Sequence, residues 1–197
     1  NNGKIVGVIF GSTSKRIKSY LLIGNKFHIN SKLREDGRLG YLKVEIDEIK
    51  TPVYLENKKK LFCIIYCMNL IKILTVENEN NVEIYNLLEK LFKIIELDNW
   101  LVEFLYLELN ILKSIGYDIN FKDYVVDRNI NGQTKYIVDS SQKFIPNFLI
   151  DKNISPENLK DIYSGFSIVG DFLDKTIIKP NNKNYPSSRN DFVNLLK

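Results

Sequence analysis

Three cations fall within four residues, Lys15, Arg16 and Lys18, and the hydroxyls of Ser12, Ser14 and Ser19 lie around them. Ammonium and guanidinium groups beside small hydroxyls bond phosphate oxygens well. Phe10, Tyr20 and Phe27 are close in sequence and offer rings on which bases can stack. Lys32 and Arg34 extend the positive run. The alternative is a solvated loop that happens to be basic. What favours a polyanion partner is the company these residues keep: residues 1–34 hold seven Lys and Arg and no Asp or Glu. Of 28 basic and 24 acidic residues in the chain, those seven leave 21 against 24 over residues 35–197, a net of −3. Positive charge gathered at one end is the usual electrostatic footprint of a polyanion-binding surface. Charge alone fits DNA, RNA or an anionic membrane surface equally.

Other reactive side chains make weaker cases. Cys63 and Cys67 are one helical turn apart, but tetrahedral zinc wants four ligands and His28 is the only histidine. Two buried core thiols are the simpler reading. His28 sits in a strand pattern with no obvious partner and is assigned no catalytic role. Glu108 lies in the most apolar stretch, either as a buried paired carboxylate or on a narrow solvent-facing stripe. No His, Cys or second acid accompanies it, which favours pairing over catalysis. There is no P-loop, no GxGxxG and no nucleophile elbow. We therefore expect a protein that is not an enzyme, with no catalytic residues, no cofactor and no metal.

The elements that must position these residues fall into two halves. With 44% apolar residues over 197 positions, a packed core can form. Lys4 to Phe10, Tyr20 to Ile23, Lys26 to Leu33 and the alternating Tyr41 to Ile49 read as short strands, with Gly24-Asn25 as a turn. Together they predict a small OB-like β-barrel over residues 1–51. The chain starts without an initiator Met inside a strand-like segment, so we expect the barrel to lack N-terminal strands.

Thr51-Pro52 marks the boundary, and from there the period is helical. Helices are expected over Val53 to Val76 after a short entry, over Val82 to Ile95, and over Asn99 to Gly116. The last is apolar round most of its circumference and should be buried on several sides. Glu103, Glu108, Asn110 and Lys113 argue against a membrane span. A hairpin is expected about 121–141, turning at Asn131-Gly132. Ser155 should cap a helix running to about Lys175, and Arg189 to Leu196 should form a final one. The fold class is thus α+β, a truncated barrel followed by an all-α bundle (52–197) with a hairpin insertion. Grooves between the helices, with Lys90, Lys93 and Lys113 near them, suit an acidic partner tail, although ordinary core and rim explain them as well.

Several parts of the chain resemble one known family. The run Leu107-Glu108-Leu109 to Leu112, closing on Gly116-Tyr117-Asp118, lies within Tyr106 to Phe121 and resembles the central helix of the bacterial DNA repair protein RecO family. Gly3 to Gly11 followed by Ser14-Lys15-Arg16 resembles that family's barrel strand and basic loop. Phe166 to Lys179 and Arg189 to Leu196 resemble its closing helices. The order of these motifs, more than any one of them, carries the likeness.

The resemblance implies an N-terminal OB fold and a helical C-terminal domain. It implies binding of single- and double-stranded DNA, annealing, and help in loading RecA onto strands coated by single-strand-binding protein. Lys15, Arg16, Lys18, Lys32 and Arg34 would then be the DNA contacts. RecR, the acidic tail of single-strand-binding protein and, in many bacteria, RecF would be partners in the cytoplasm, at the nucleoid during repair. Some members carry a four-cysteine zinc site in the hairpin region. Here Tyr124 stands where the first cysteine would be, and no Cys follows Cys67, so zinc is not expected. The alternative to this mediator is an RNA-binding or protein-interaction scaffold that does not anneal strands.

Overall fold

The computed structural model describes residues 3–32, 39–130, 133–138 and 143–197. The N-terminal part is a three-stranded sheet. β1 (Gly7–Ile9) pairs in parallel with β3 (Gly40–Glu48), and β2 (Lys26–Lys32) pairs antiparallel on the other side of β3, giving the order β1-β3-β2. Among the described residues this sheet stays open, and no closed barrel is formed.

Two N-terminal expectations are corrected. Lys4 to Phe10 is not one strand: β1 keeps only its second half, and Lys4 bridges to Glu77. The reason is the Lys4 ammonium, which bonds the Thr75 and Lys72 carbonyls (2.6 and 3.1 Å) at the C-terminal end of a helix, where cations are favoured. Tyr20 to Ile23 is not a strand either. Its backbone turns back on the helical turn α1 (Lys15–Lys18), with the Tyr20 and Leu21 amides donating to the Ile17 carbonyl.

The expected turn and the expected boundary meet in space. Asn25 Oδ1 accepts from the amides of Lys50 and Thr51 (2.9 and 3.0 Å), and Thr51 Oγ1 donates to the Ile23 carbonyl. Gly24 sits between them at φ +92°, and a Cβ there would lie 2.5 Å from Thr51 Oγ1. Only glycine fits both that backbone and that space.

Beyond a 3-10 turn at Thr51–Tyr54, three helices follow as expected: α2 (Lys58–Leu74), α3 (Val82–Ile94) and α4 (Trp100–Ser114). Asn57 and Asn81 cap α2 and α3, each accepting an amide three residues on (3.1 and 2.9 Å). Val102, Leu105, Leu107, Ile111 and Leu112 bury α4 on several sides. β4 (Val125–Ile130) and β5 (Gln133–Val138) make the hairpin, with β6 (Phe144–Ile145) on the far side of β5. The pairing of Ile130 with Gln133 leaves two residues between the strands, the Asn131-Gly132 pair, which lies outside the described residues.

After the short α5 (Asn147–Ile150), α6 (Leu159–Phe172) begins later than expected. Asn158, not Ser155, caps it, because Asn158 Oδ1 reaches the amides of Lys160 and Asp161 (2.8 and 3.2 Å) while Asp161 reaches back to the Glu157 amide. Its α-helical bonding stops at Phe172. A wider π-helical turn, Leu173–Ile178, continues it and keeps Leu173, Ile177 and Ile178 buried. α7 (Ser187–Asn194) packs on α2 and closes the bundle. At the centre Phe192 meets Phe104 and Phe166 edge-to-face, with ring centroids 5.5 and 5.3 Å apart. No helix among the described residues is long and apolar enough to cross a membrane.

Candidate nucleic-acid interface

α1 exists because Ser14 and Ser19 tie its two ends. Ser14 Oγ accepts from the Ile17 amide (3.3 Å), and Ser19 Oγ donates to the Arg16 carbonyl (2.8 Å). These two serines, expected as phosphate ligands, therefore serve the local backbone as well. Lys15, Arg16 and Lys18 are left exposed, while Ile17 turns inward.

Ile17 forms part of a cleft of about 450 Å3 shared with Phe10, Leu42 and Val44 and edged by Lys32, Tyr41 and Lys43. The pleat accounts for the mixture: along β3, Tyr41 and Lys43 project to one face and Leu42 and Val44 to the other. Lys32 pairs with Tyr41 in the register, which brings cation and ring together. Phe10 is 78% exposed and Tyr41 47%. Of the three rings expected to stack on bases, only Phe10 is at this cleft. Tyr20 and Phe27 are half-buried against each other, centroids 6.2 Å apart.

Among the described residues the acids of β3 all have cationic or imidazole partners. Lys26 bridges Glu48, Glu89 and Asp47 at 3.2, 3.4 and 3.8 Å, and Lys50 bridges Glu89 and Glu48 at 3.2 and 3.3 Å. The Glu48 hydrogen bond holds the Lys26 ammonium above its ordinary range. Burial pushes Glu89 up, but the Lys50 and Lys26 ammoniums outweigh it and hold the carboxyl below its usual range. His28 is not partnerless as expected: its Nε2 lies 3.4 Å from Asp47 Oδ1. Lys43 pairs with Glu45 at 3.4 Å.

Of the seven cations in the acid-free segment, Lys4 and Lys26 are thus held by the fold. Among the described residues Lys15, Arg16, Lys18 and Lys32 form no ion pair, and Arg34 lies outside the described residues. Tyr41 and Lys43 join the site without having been expected there, though the alternation from Tyr41 to Glu48 already puts them on one strand face.

Glu108 is the buried, paired carboxylate of the two readings. Arg189 Nη2 lies 3.1 Å from its Oε1, and the Tyr66 hydroxyl donates to the same carboxylate. Arg189 Nη2 also donates to the Phe166 carbonyl at 2.7 Å. Burial alone would lower the Arg189 pKa, but the Glu108 charge more than reverses it, so the guanidinium stays charged. The Tyr66 hydroxyl is pushed well up by burial and by Glu108. Nothing in the sequence spacing links positions 66, 108 and 189.

Cys63 and Cys67 are free and fully buried, and burial raises both thiols, which makes them poor nucleophiles. Lys113 pairs with Asp118 at 2.7 Å, while Lys90 and Lys93 remain exposed on α3.

Comparison with known proteins shows the family. The family model described as "Recombination protein O C terminal" matches residues 55–160, more than half of the chain. A DNA repair protein RecO of Ehrlichia chaffeensis is 26% identical over 78% of this chain and 65% of its own length. RecO proteins of Rhodopseudomonas palustris and Rhodospirillum rubrum are 22% and 21% identical over 99% and 100% of this chain, and over 85% and 86% of their own lengths. No solved structure gives a significant match.

Proposed function

The chain belongs to the RecO family of DNA repair and recombination proteins, and on that premise we propose that it is a mediator that binds single- and double-stranded DNA and anneals complementary strands. It also helps load RecA onto strands coated by single-strand-binding protein. The observation that carries the reading is the N-terminal cleft. Lys32 lines it with exposed Phe10 and Tyr41, and Lys15, Arg16 and Lys18 stand outward on the turn that sends Ile17 into it; none of the four cations forms an ion pair among the described residues.

Residues 1–51 act as the DNA-binding half, an OB-like sheet, and residues 52–197 as the helical scaffold. The cations displace counterions from phosphates, at about −0.7 in salt slope per neutralised phosphate of a single strand. Phe10 and Tyr41 hold bases by their faces, which leaves base edges free to pair with a second strand. This mechanism breaks no covalent bond and uses no cofactor or zinc, so the protein acts without enzymatic turnover. RecR, the acidic tail of single-strand-binding protein and RecF are its partners. The tail suits the helical half, where Lys90 and Lys93 are exposed. Its place of work is the cytoplasm, at the nucleoid.

The test is the annealing rate of two complementary oligonucleotides, read by fluorescence over a salt series, for the chain and for Lys15→Ala/Arg16→Ala/Lys18→Ala. Acceleration that weakens with salt and falls in the triple variant supports the reading. Annealing that is unaccelerated and indifferent to salt sinks it.

A further inference from the structure

The hairpin carries an electrostatic oddity. Arg128 on β4 and Lys135 on β5 are directly opposite in the register, and like charges so placed destabilise a strand pair. Among the described residues no carboxylate lies within ion-pair distance of either. Asp127 pairs with Tyr136 on the other face, and Asp123 is taken by the Asn120 side-chain amide at 2.9 Å. Neither Arg128 nor Lys135 forms an ion pair among the described residues. The same face carries Val126, opposite Ile137, and Phe144, the next partner of Ile137. Phe144 is 52% exposed, and Lys135 Nζ lies 5.8 Å from its ring centroid. A cationic pair beside an exposed ring repeats the chemistry of the N-terminal cleft on a sheet that shares no strand with it.

We propose that the Arg128–Lys135–Phe144 face of the hairpin is a second contact for single-stranded nucleic acid, with phosphates bound between the two cations and a base stacked on Phe144. Beside it lies a groove of about 290 Å3 lined by Lys135, Phe144, Pro146 and Ile154, and also by Glu157 and Asp161. The two acids disfavour a phosphate inside the groove. The backbone therefore follows the Arg128–Lys135 rim, and the groove takes the base. A bound phosphate offsets the repulsion that the fold leaves standing. Two separate contacts let one chain hold two strands, or two segments of one strand, which annealing requires. The inference rests on the nucleic-acid reading above.

The experiment is fluorescence anisotropy of a labelled single-stranded oligothymidine over a salt series with the full chain, Arg128→Gln/Lys135→Gln, Phe144→Ala and Lys15→Ala/Arg16→Ala/Lys18→Ala, with a melting curve for each. The Arg128/Lys135 variant is expected to lose about 1.4 from the magnitude of the salt slope, two phosphates' worth. Its melting temperature should match or exceed that of the parent, because the like-charge opposition is gone. Phe144→Ala should weaken binding about fivefold or more with the slope unchanged. Unchanged affinity and slope in both hairpin variants, while the N-terminal variant loses binding, would overturn this contact and leave the N-terminal one standing. Lost binding accompanied by a lower melting temperature would contradict the premise that the pair costs the fold, and overturn it too. An oligothymidine that the parent chain does not bind at any salt would remove both contacts together.

Discussion

Arg189 and the Lys15–Lys18 turn treat positive charge in opposite ways. Arg189 is buried to 3% exposure, and carboxylate, phenol and backbone carbonyl surround it. Lys15, Arg16 and Lys18 stand in solvent on a four-residue turn and form no ion pair among the described residues. The first arrangement fixes a helix in a bundle, since a buried charge must be compensated. In the second, the three charges form no ion pair with the fold among the described residues, which leaves them open to a ligand of opposite charge. Charge that is fully paired marks scaffold here, and on the proposed function charge left unpaired marks surface for a partner.

That contrast can be broken from either side. Arg189→Ala leaves Glu108 buried without its counter-charge and should cost about 3–5 kcal/mol in denaturant unfolding. At equal folded fraction, its oligonucleotide salt slope should not change. Gly170→Ala should destabilise through the same group, because a Cβ there lies 2.3 Å from Arg189 Nη1. A cost of about 1–3 kcal/mol on chemical unfolding is expected from that overpacking. An effect of similar size, on binding alone, is expected at the cleft: Phe10→Ala should weaken oligonucleotide binding by about 1–3 kcal/mol by titration while the melting temperature stays put.

The smallest effect concerns pH. Glu89 has its folded pKa held below the ordinary 4.5, so its pairing with Lys50 and Lys26 stabilises the fold above that value. The contribution is lost as pH falls from 4.5 through the lower folded value. Glu89→Gln should therefore flatten the acid limb of a stability-against-pH curve in that window and leave the neutral plateau nearly level.

The same contrast explains what was legible in the sequence. Helices α2, α3 and α4 announce themselves by period, and asparagine caps stand one residue ahead of α2 and α3. The acid-free basic segment is likewise a local property, visible without any fold. What stayed hidden is set by contacts between distant parts. Glu108 finds its partner 81 positions away. Lys4 leaves its expected strand for carbonyls 68 and 71 positions on. The helix start moves from Ser155 to Asn158 because Asp161 supplies the second half of a cap that Ser155 cannot reach. At the cleft, Phe10 is found by neighbourhood in sequence, but Tyr41 needs the strand register to bring it beside Lys32.

The most direct test of unpaired charge as ligand surface pairs two readouts on one variant, Lys15→Ala/Arg16→Ala/Lys18→Ala/Lys32→Ala. The salt slope of single-strand binding should fall in magnitude by up to about 2.8, at about 0.7 for each phosphate no longer neutralised, while unfolding free energy is unchanged. An unchanged slope, or a drop in stability alongside it, would contradict the account, because those four cations would then belong to the fold and not to a ligand.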